Sequence, residues 1–184
     1  MAPTAPPLED DPAFRSWLRR VAVLLGEDWN PDPGHRPSLP DGTADFLTGV
    51  FIRNGAVPED HLVPLLAEHR KEVALGVVDA LLAQVRRDTG RALRVAVTYD
   101  PPGEWGEPLG RLTVGHEAVW GVHPVDLAVG AAEGVQCLLA DRDRVLWPVC
   151  PDHRVVPHPA RDPSGAAVWI CAVTRHVTGS IPHA

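Results

Sequence analysis

Cys150 and His153 are separated by two residues in the segment WPVCPDH, and Cys171 and His176 by four in WICAVTRH. Seventeen residues lie between the two pairs. Thiolate and imidazole are the ligands that zinc takes in a tetrahedral shell. A pair spaced two to four residues apart on a tight turn can present both donors to one side of a small ion. A second pair, brought alongside by a chain reversal, completes the shell. Pro151 and Asp152 suit the first turn, and ARDPSG between the pairs supplies the reversal. The segment VTGSI after His176 can then pair back onto AAVWI before Cys171. His158 and His183 can stand in for either histidine ligand.

The same residues admit plainer readings. Cysteine in a reducing compartment is often a small buried hydrophobe, and Cys150 and Cys171 could pair as a disulfide in an oxidising one. The third cysteine, Cys137, lies beside Leu138 on a helical face and reads as core. Four candidate ligands favour a structural metal over a catalytic one, because a catalytic zinc keeps one position open. A structural metal would contribute folding energy to a tail with few large apolar residues. Loss of Cys171 is then expected to loosen residues 144–184 and spare the helices.

Over about residues 144–181 the two Cys/His pairs and the strand–knuckle rhythm resemble a zinc ribbon or zinc knuckle. The match departs from the usual four-cysteine pattern, with histidine second in each pair and a wide second gap. The resemblance implies zinc as cofactor and Cys150, His153, Cys171 and His176 as its ligands. The phrases WPVCPDH and AVWIC are also similar to small uncharacterised proteins of GC-rich bacteria, a likeness that implies no function. Composition agrees with that source: Lys71 is the only lysine among 17 basic residues, and Ala, Gly, Pro, Val and Arg abound.

Other constellations fail on spacing. His116-Glu117 lacks a histidine at position 120, which is Trp, so no H-E-x-x-H helix exists there. The deaminase signature needs a Glu two residues after its His; position 118 is Ala. His69 and Glu72 give a single H-x-x-E, a solvated helix face unless a second copy exists. No G-x-S-x-G elbow occurs. Of the six tryptophans, Trp29 and Trp105 fall in Pro/Gly-rich loops, and Trp105 is the candidate binding residue because tryptophan is enriched in contact patches. Trp120, Trp147 and Trp169 fall on strand-like segments and can pack under the knuckles.

The elements that must position these residues follow from periodicity. Residues 1–10 read as disordered. Asp11 caps a helix opened by Pro12, with Phe14, Trp17, Leu18, Val21 and Leu25 on one face and Gly26 at its end. Residues 27–42 hold four prolines and read as loop. A short helix runs from about Thr43 to Arg53. The longest runs from Val63-Pro64 to Thr89-Gly90, with Glu68, Arg70, Lys71, Glu72 and Asp79 on a solvated face. Residues 93–99 alternate as a strand, and 111–122 read as a second, bulged at Gly115. Pro124 opens a helix through Asp141, weakened by Gly130 and Gly134.

Helices first and strands later predict an α+β domain: N-terminal helices, a small antiparallel sheet, and a C-terminal zinc-ribbon-like unit packed on it. The body spans 11–143 and the tail 144–184. With a net charge of −7 and no basic stripe, non-specific nucleic-acid binding is not expected. No run of about 18 apolar residues and no basic-then-apolar leader predict neither membrane span nor secretion, hence a cytoplasmic protein. The chain reads as a protein-binding or adaptor module with a structural zinc. The alternative is a metal-dependent hydrolase acting on a small molecule.

Overall fold

The computed structural model describes residues 8–25, 41–103 and 108–182. The chain forms two compact units, 1–65 and 66–184. In the first, a 3-10 turn at Leu8–Asp10, within the stretch expected to lack structure, leads into α1, Pro12–Leu24. The expected cap is present: the Asp11 carboxylate accepts from the Ala13 N–H at 2.7 Å. Phe14 and Trp17 of α1 meet Phe51 of α2 (Asp41–Asn54) at ring-centroid distances of 4.9 and 5.3 Å. The Trp17 indole N–H donates to the Val57 carbonyl at 2.8 Å, so the ring is buried with its polar atom satisfied. Gly26 and most of the proline-rich loop lie outside the described residues.

The long helix α3 spans Glu59–Thr89, starting four residues before the expected Val63. Pro64 sits inside it. The helix opens earlier because Pro58 supplies the first carbonyl, accepting from Leu62 at 2.8 Å, and Glu59 and Asp60 place negative charge at the amino end. Pro64 is therefore the sixth residue of the helix rather than part of its first turn, and its missing N–H leaves the Asp60 carbonyl without its i+4 donor.

In the second unit, β1 (Val97–Asp100), β2 (Arg111–Val114) and β3 (Glu117–Val119) form an antiparallel sheet in sequence order. The single bulged strand expected over 111–122 is instead a hairpin. Gly115, at φ 63°, takes the first position of a two-residue turn with His116, and a positive φ there suits glycine. This also shortens β1. Val97 pairs with Val114, so the turn leaves nothing opposite residues 93–95; Leu93 and Val95 pack against the core without a ladder.

Helix α4 spans Pro124–Asp143. Its N-cap is His123, whose Nδ1 accepts from the Val125 N–H at 3.1 Å. It packs on β2 and β3, and on β4 (His158–Arg161) and β5 (Ala167–Ile170) of a second antiparallel sheet completed by β6 (Val177–Ser180). β6 pairs with β5 as the VTGSI segment predicted. β4, which carries Pro159, was not expected as a strand. It lies at the sheet edge, where proline is tolerated. Val145, Trp147, Ala167, Trp169 and Ile181 share one core with α3, α4 and the first sheet.

The two glycines that argued against α4 are what let it dock. A Cβ at Gly134 would run into the Val114 carbonyl oxygen and stand 2.9 Å from Val114 Cβ; one at Gly130 would stand 3.0 Å from Val119 Cγ1. Gly76 of α3, by contrast, faces open space. The two alanine substitutions therefore have opposite signs. Gly134→Ala is expected to cost about 1–3 kcal/mol through overpacking. Gly76→Ala is expected to gain about 0.5–1 kcal/mol by relieving the helix penalty of glycine. Urea midpoints of the two variants check both.

Candidate metal centre

Two loops build the site. After Val149 the chain turns so that the Cys150 N–H donates to the Val155 carbonyl at 2.9 Å, and the Arg154 N–H donates back to the Cys150 carbonyl at 2.9 Å. After Ile170 the same pattern repeats: the Cys171 N–H donates to the His176 carbonyl at 2.9 Å, and the Arg175 N–H to the Cys171 carbonyl at 3.0 Å. In each loop the residue four after the cysteine is left-handed, Arg154 at φ 57° and Arg175 at φ 61°. The two knuckles thus share one backbone plan. They differ in where the histidine sits: one residue before the left-handed arginine in the first, one after it in the second. This accounts for the wide second gap.

The loops bring Cys150, His153, Cys171 and His176 into one cluster whose donor atoms all lie within 4.8 Å of one another. His153 Nδ1 lies 3.6 Å from Cys150 Sγ and 3.5 Å from Cys171 Sγ, and His176 Nε2 lies 3.6 Å from Cys150 Sγ. A tetrahedral zinc with bonds of about 2.3 Å to sulfur and about 2.0–2.1 Å to nitrogen sets sulfur and nitrogen about 3.5 Å apart. The group can hold a metal ion. Both sulfurs are fully buried, and both imidazoles are half-buried.

No protein-family model, curated protein or solved structure matches this chain.

The electrostatics suit a thiolate site. Burial pushes the Cys171 thiol up, but the N–H groups of Thr174 and Val173, together with Cys150 and His153, outweigh it and hold the thiol at about 7. The knuckle therefore supplies what a metal-bound sulfur needs, N–H groups aimed at it from the turn. The Asp152 carboxylate lies 3.5 Å from His176 Nε2, at the exposed side of the cluster.

Thr174 occupies the place in the second knuckle that His153 holds in the first. Its hydroxyl lies 2.6 Å from His176 Nδ1. A metal on Nε2 leaves the proton on Nδ1, which then donates to the Thr174 oxygen and fixes the ring. Thr174→Val is expected to weaken metal binding by about 10–100-fold, while Thr174→Ser retains it. Competition against a chromophoric chelator measures both.

The remaining sequence candidates fall elsewhere. His158 lies in β4, paired with Ile170, and is not in the cluster. His183, Trp29 and Trp105 lie outside the described residues. Trp147 and Trp169 are buried edge-to-face at 5.8 Å in the segments leading to the two cysteines, as expected of tryptophans beneath the knuckles. Trp120 is not among them; it is 56% exposed at the end of the first sheet. Cys137 is half-buried, and burial with Glu117, Glu133 and Asp141 nearby raises its thiol, the opposite of a reactive site. His69 is held below its usual pKa by burial, against the pull of the Val122 backbone and Glu72. It is half-buried and belongs to no metal-capable cluster among the described residues. Arg70 reverses an expectation: placed on the solvated face of α3, it is 1% exposed and donates to three backbone carbonyls, Leu109 and Gly110 at 3.1 Å and Val119 at 2.8 Å.

Proposed function

We propose that Cys150, His153, Cys171 and His176 bind one zinc ion that is structural, and that the protein is a cytosolic protein-binding or adaptor module whose C-terminal sheet the metal holds in shape. The observation that carries the metal reading is that three of the four sulfur–nitrogen separations are 3.5–3.6 Å, about the edge of a zinc tetrahedron, with all four donor atoms within 4.8 Å of one another. Four protein donors fill that tetrahedron, and this is the composition of a structural rather than a catalytic shell. The zinc-ribbon-like character rests on the paired knuckles. A cytosolic setting agrees with thiolate ligands kept reduced, and among the described residues no helix is long and apolar enough to cross a membrane. An adaptor role agrees with the exposed aliphatic side chains around the knuckles, Leu146, Val149, Val173 and Val177.

Native mass spectrometry of the full chain, expressed with zinc, is expected to show one zinc per chain. An apo chain would overturn the proposal. The second reading, a metal-dependent hydrolase, draws on Asp152 beside the half-exposed histidines. Cobalt substitution separates the two. A closed site gives a tetrahedral visible spectrum indifferent to azide, whereas an open one shifts on adding it.

A further inference from the structure

Among the described residues, every non-glycine residue with positive φ is an arginine: Arg144, Arg154 and Arg175. The last two are the fifth residues of the two knuckles. A left-handed conformation there favours glycine, because a Cβ crowds the neighbouring carbonyl. Strain retained at a site where a cheaper residue exists motivates a functional hypothesis. Here it is retained twice, at equivalent positions, by the same side chain. Arg154 and Arg175 are both exposed, and neither side chain forms a hydrogen bond or ion pair among the described residues. Each is the chain neighbour of a cluster histidine, and the two histidine rings lie 5.5 Å apart.

We propose that Arg154 and Arg175 form a paired carboxylate-recognition site and that the partner is an acidic peptide segment with interspersed aliphatic residues. This rests on the reading of the tail as a protein-binding module held by a metal. A guanidinium presents two parallel N–H donors to a carboxylate, which lysine does not. The aliphatic half of the partner is matched by Val149, Val173 and Val177, 43%, 57% and 52% exposed, in or beside the same loops. Charge supports the choice. Residues 150–184 carry three arginines against two aspartates in a chain of net charge −7. Arg161 is engaged by Asp126 at 3.6 Å and Asp152 faces His176 at 3.5 Å, so Arg154 and Arg175 are the tail's arginines without an ion pair among the described residues, where an acidic segment meets least repulsion. Nucleic acid fits less well. So few cations give weak phosphate binding, and the tail's tryptophans, Trp147 and Trp169, are buried and offer no stacking platform.

The test uses the full chain as purified, with zinc counted by native mass spectrometry in the same sample. A 12-residue peptide alternating Asp/Glu with Leu/Val is titrated by heteronuclear NMR. A Lys-substituted version of it, a 12-nucleotide single-stranded DNA and inorganic phosphate serve as comparators. The acidic peptide is expected to bind, to shift the side-chain Nε–H signals of Arg154 and Arg175, and to bind at least tenfold more weakly to the double variant R154G/R175G. That variant relieves the backbone strain, so its melting temperature is expected to be equal or higher, which separates lost recognition from lost folding. Absence of peptide binding, binding unchanged in R154G/R175G, or stronger binding of DNA or phosphate overturns the proposal. The zinc count alone decides the metal reading on which it rests.

Discussion

Replacing Cys171 with serine is expected to abolish stoichiometric metal binding and to release the second sheet. A structural zinc contributes about 10–16 kcal/mol of apparent binding energy near neutral pH, as much as the whole stability of an ordinary domain, about 5–15 kcal/mol. The sheet it holds is short: each of β4, β5 and β6 has four residues. Hydrogen exchange by mass spectrometry is expected to rise first at residues 149–176, in both the variant and the chelated wild type. The sequence suggested that the damage would stop at the tail. The shared core alters that: Val145, Trp147, Ala167, Trp169 and Ile181 are buried with residues of α3 and α4, so loosened protection is expected to reach α4 next. Full protection of the tail after complete metal removal would show that packing alone holds the sheet. Serine preserves size and polarity but is a poor zinc ligand at neutral pH, so the variant isolates the metal's contribution.

Arg70→Leu is expected to cost about 3–5 kcal/mol, more than most single substitutions. The guanidinium satisfies the carbonyls of Leu109, Gly110 and Val119 from within the core of the second unit. Leucine fills part of the volume and removes the guanidinium donor from all three acceptors, of which Leu109 keeps the Tyr99 hydroxyl at 3.2 Å. Arg70→Lys is expected to recover only part of the loss, since a single ammonium cannot span carbonyls on two separate turns of chain. Urea unfolding with an unchanged slope and a lowered midpoint is the expected signature. A variant within about 0.5 kcal/mol of wild type would show that the three carbonyls find other donors at little cost.

The convergence of the two Cys/His pairs was legible because its signal is local. Two Cys/His pairs at knuckle spacing, each after an apolar extended segment, already specify two turns that can converge. The caps were legible for the same reason: Asp11-Pro12 and Pro124 act within one turn of helix. The hairpin at Gly115-His116 was not, because a glycine in an alternating segment signals either a bulge or a turn, and only the partner strand decides which. Arg70 was misplaced because periodicity assigns a charged residue to the wet face, whereas the carbonyls that it serves come from positions 39 to 49 residues away in sequence. Gly130 and Gly134 were counted as weaknesses in α4 because propensity is blind to how closely a strand approaches. Thr174 carries no motif. Its role follows from the equivalence of the two loop backbones, which is a fact of φ angles and hydrogen bonds rather than of spacing.

The two histidines reach the centre with different nitrogens, and this makes them unequal in exchangeability. His153 offers Nδ1, two bonds beyond its Cβ, while His176 offers Nε2, three bonds beyond. A thiolate sulfur stands one bond from Cβ, with a longer bond to metal that makes up part of the difference. Position 153 can therefore pass to cysteine with a small adjustment of one loop, giving a three-thiolate shell of tighter grip and greater sensitivity to oxidation. Position 176 cannot, because no shorter side chain spans the gap that the far edge of the imidazole closes. With a metal held as proposed, a His153→Cys variant is thus expected to keep metal binding better than His176→Cys, which competition against a chromophoric chelator measures.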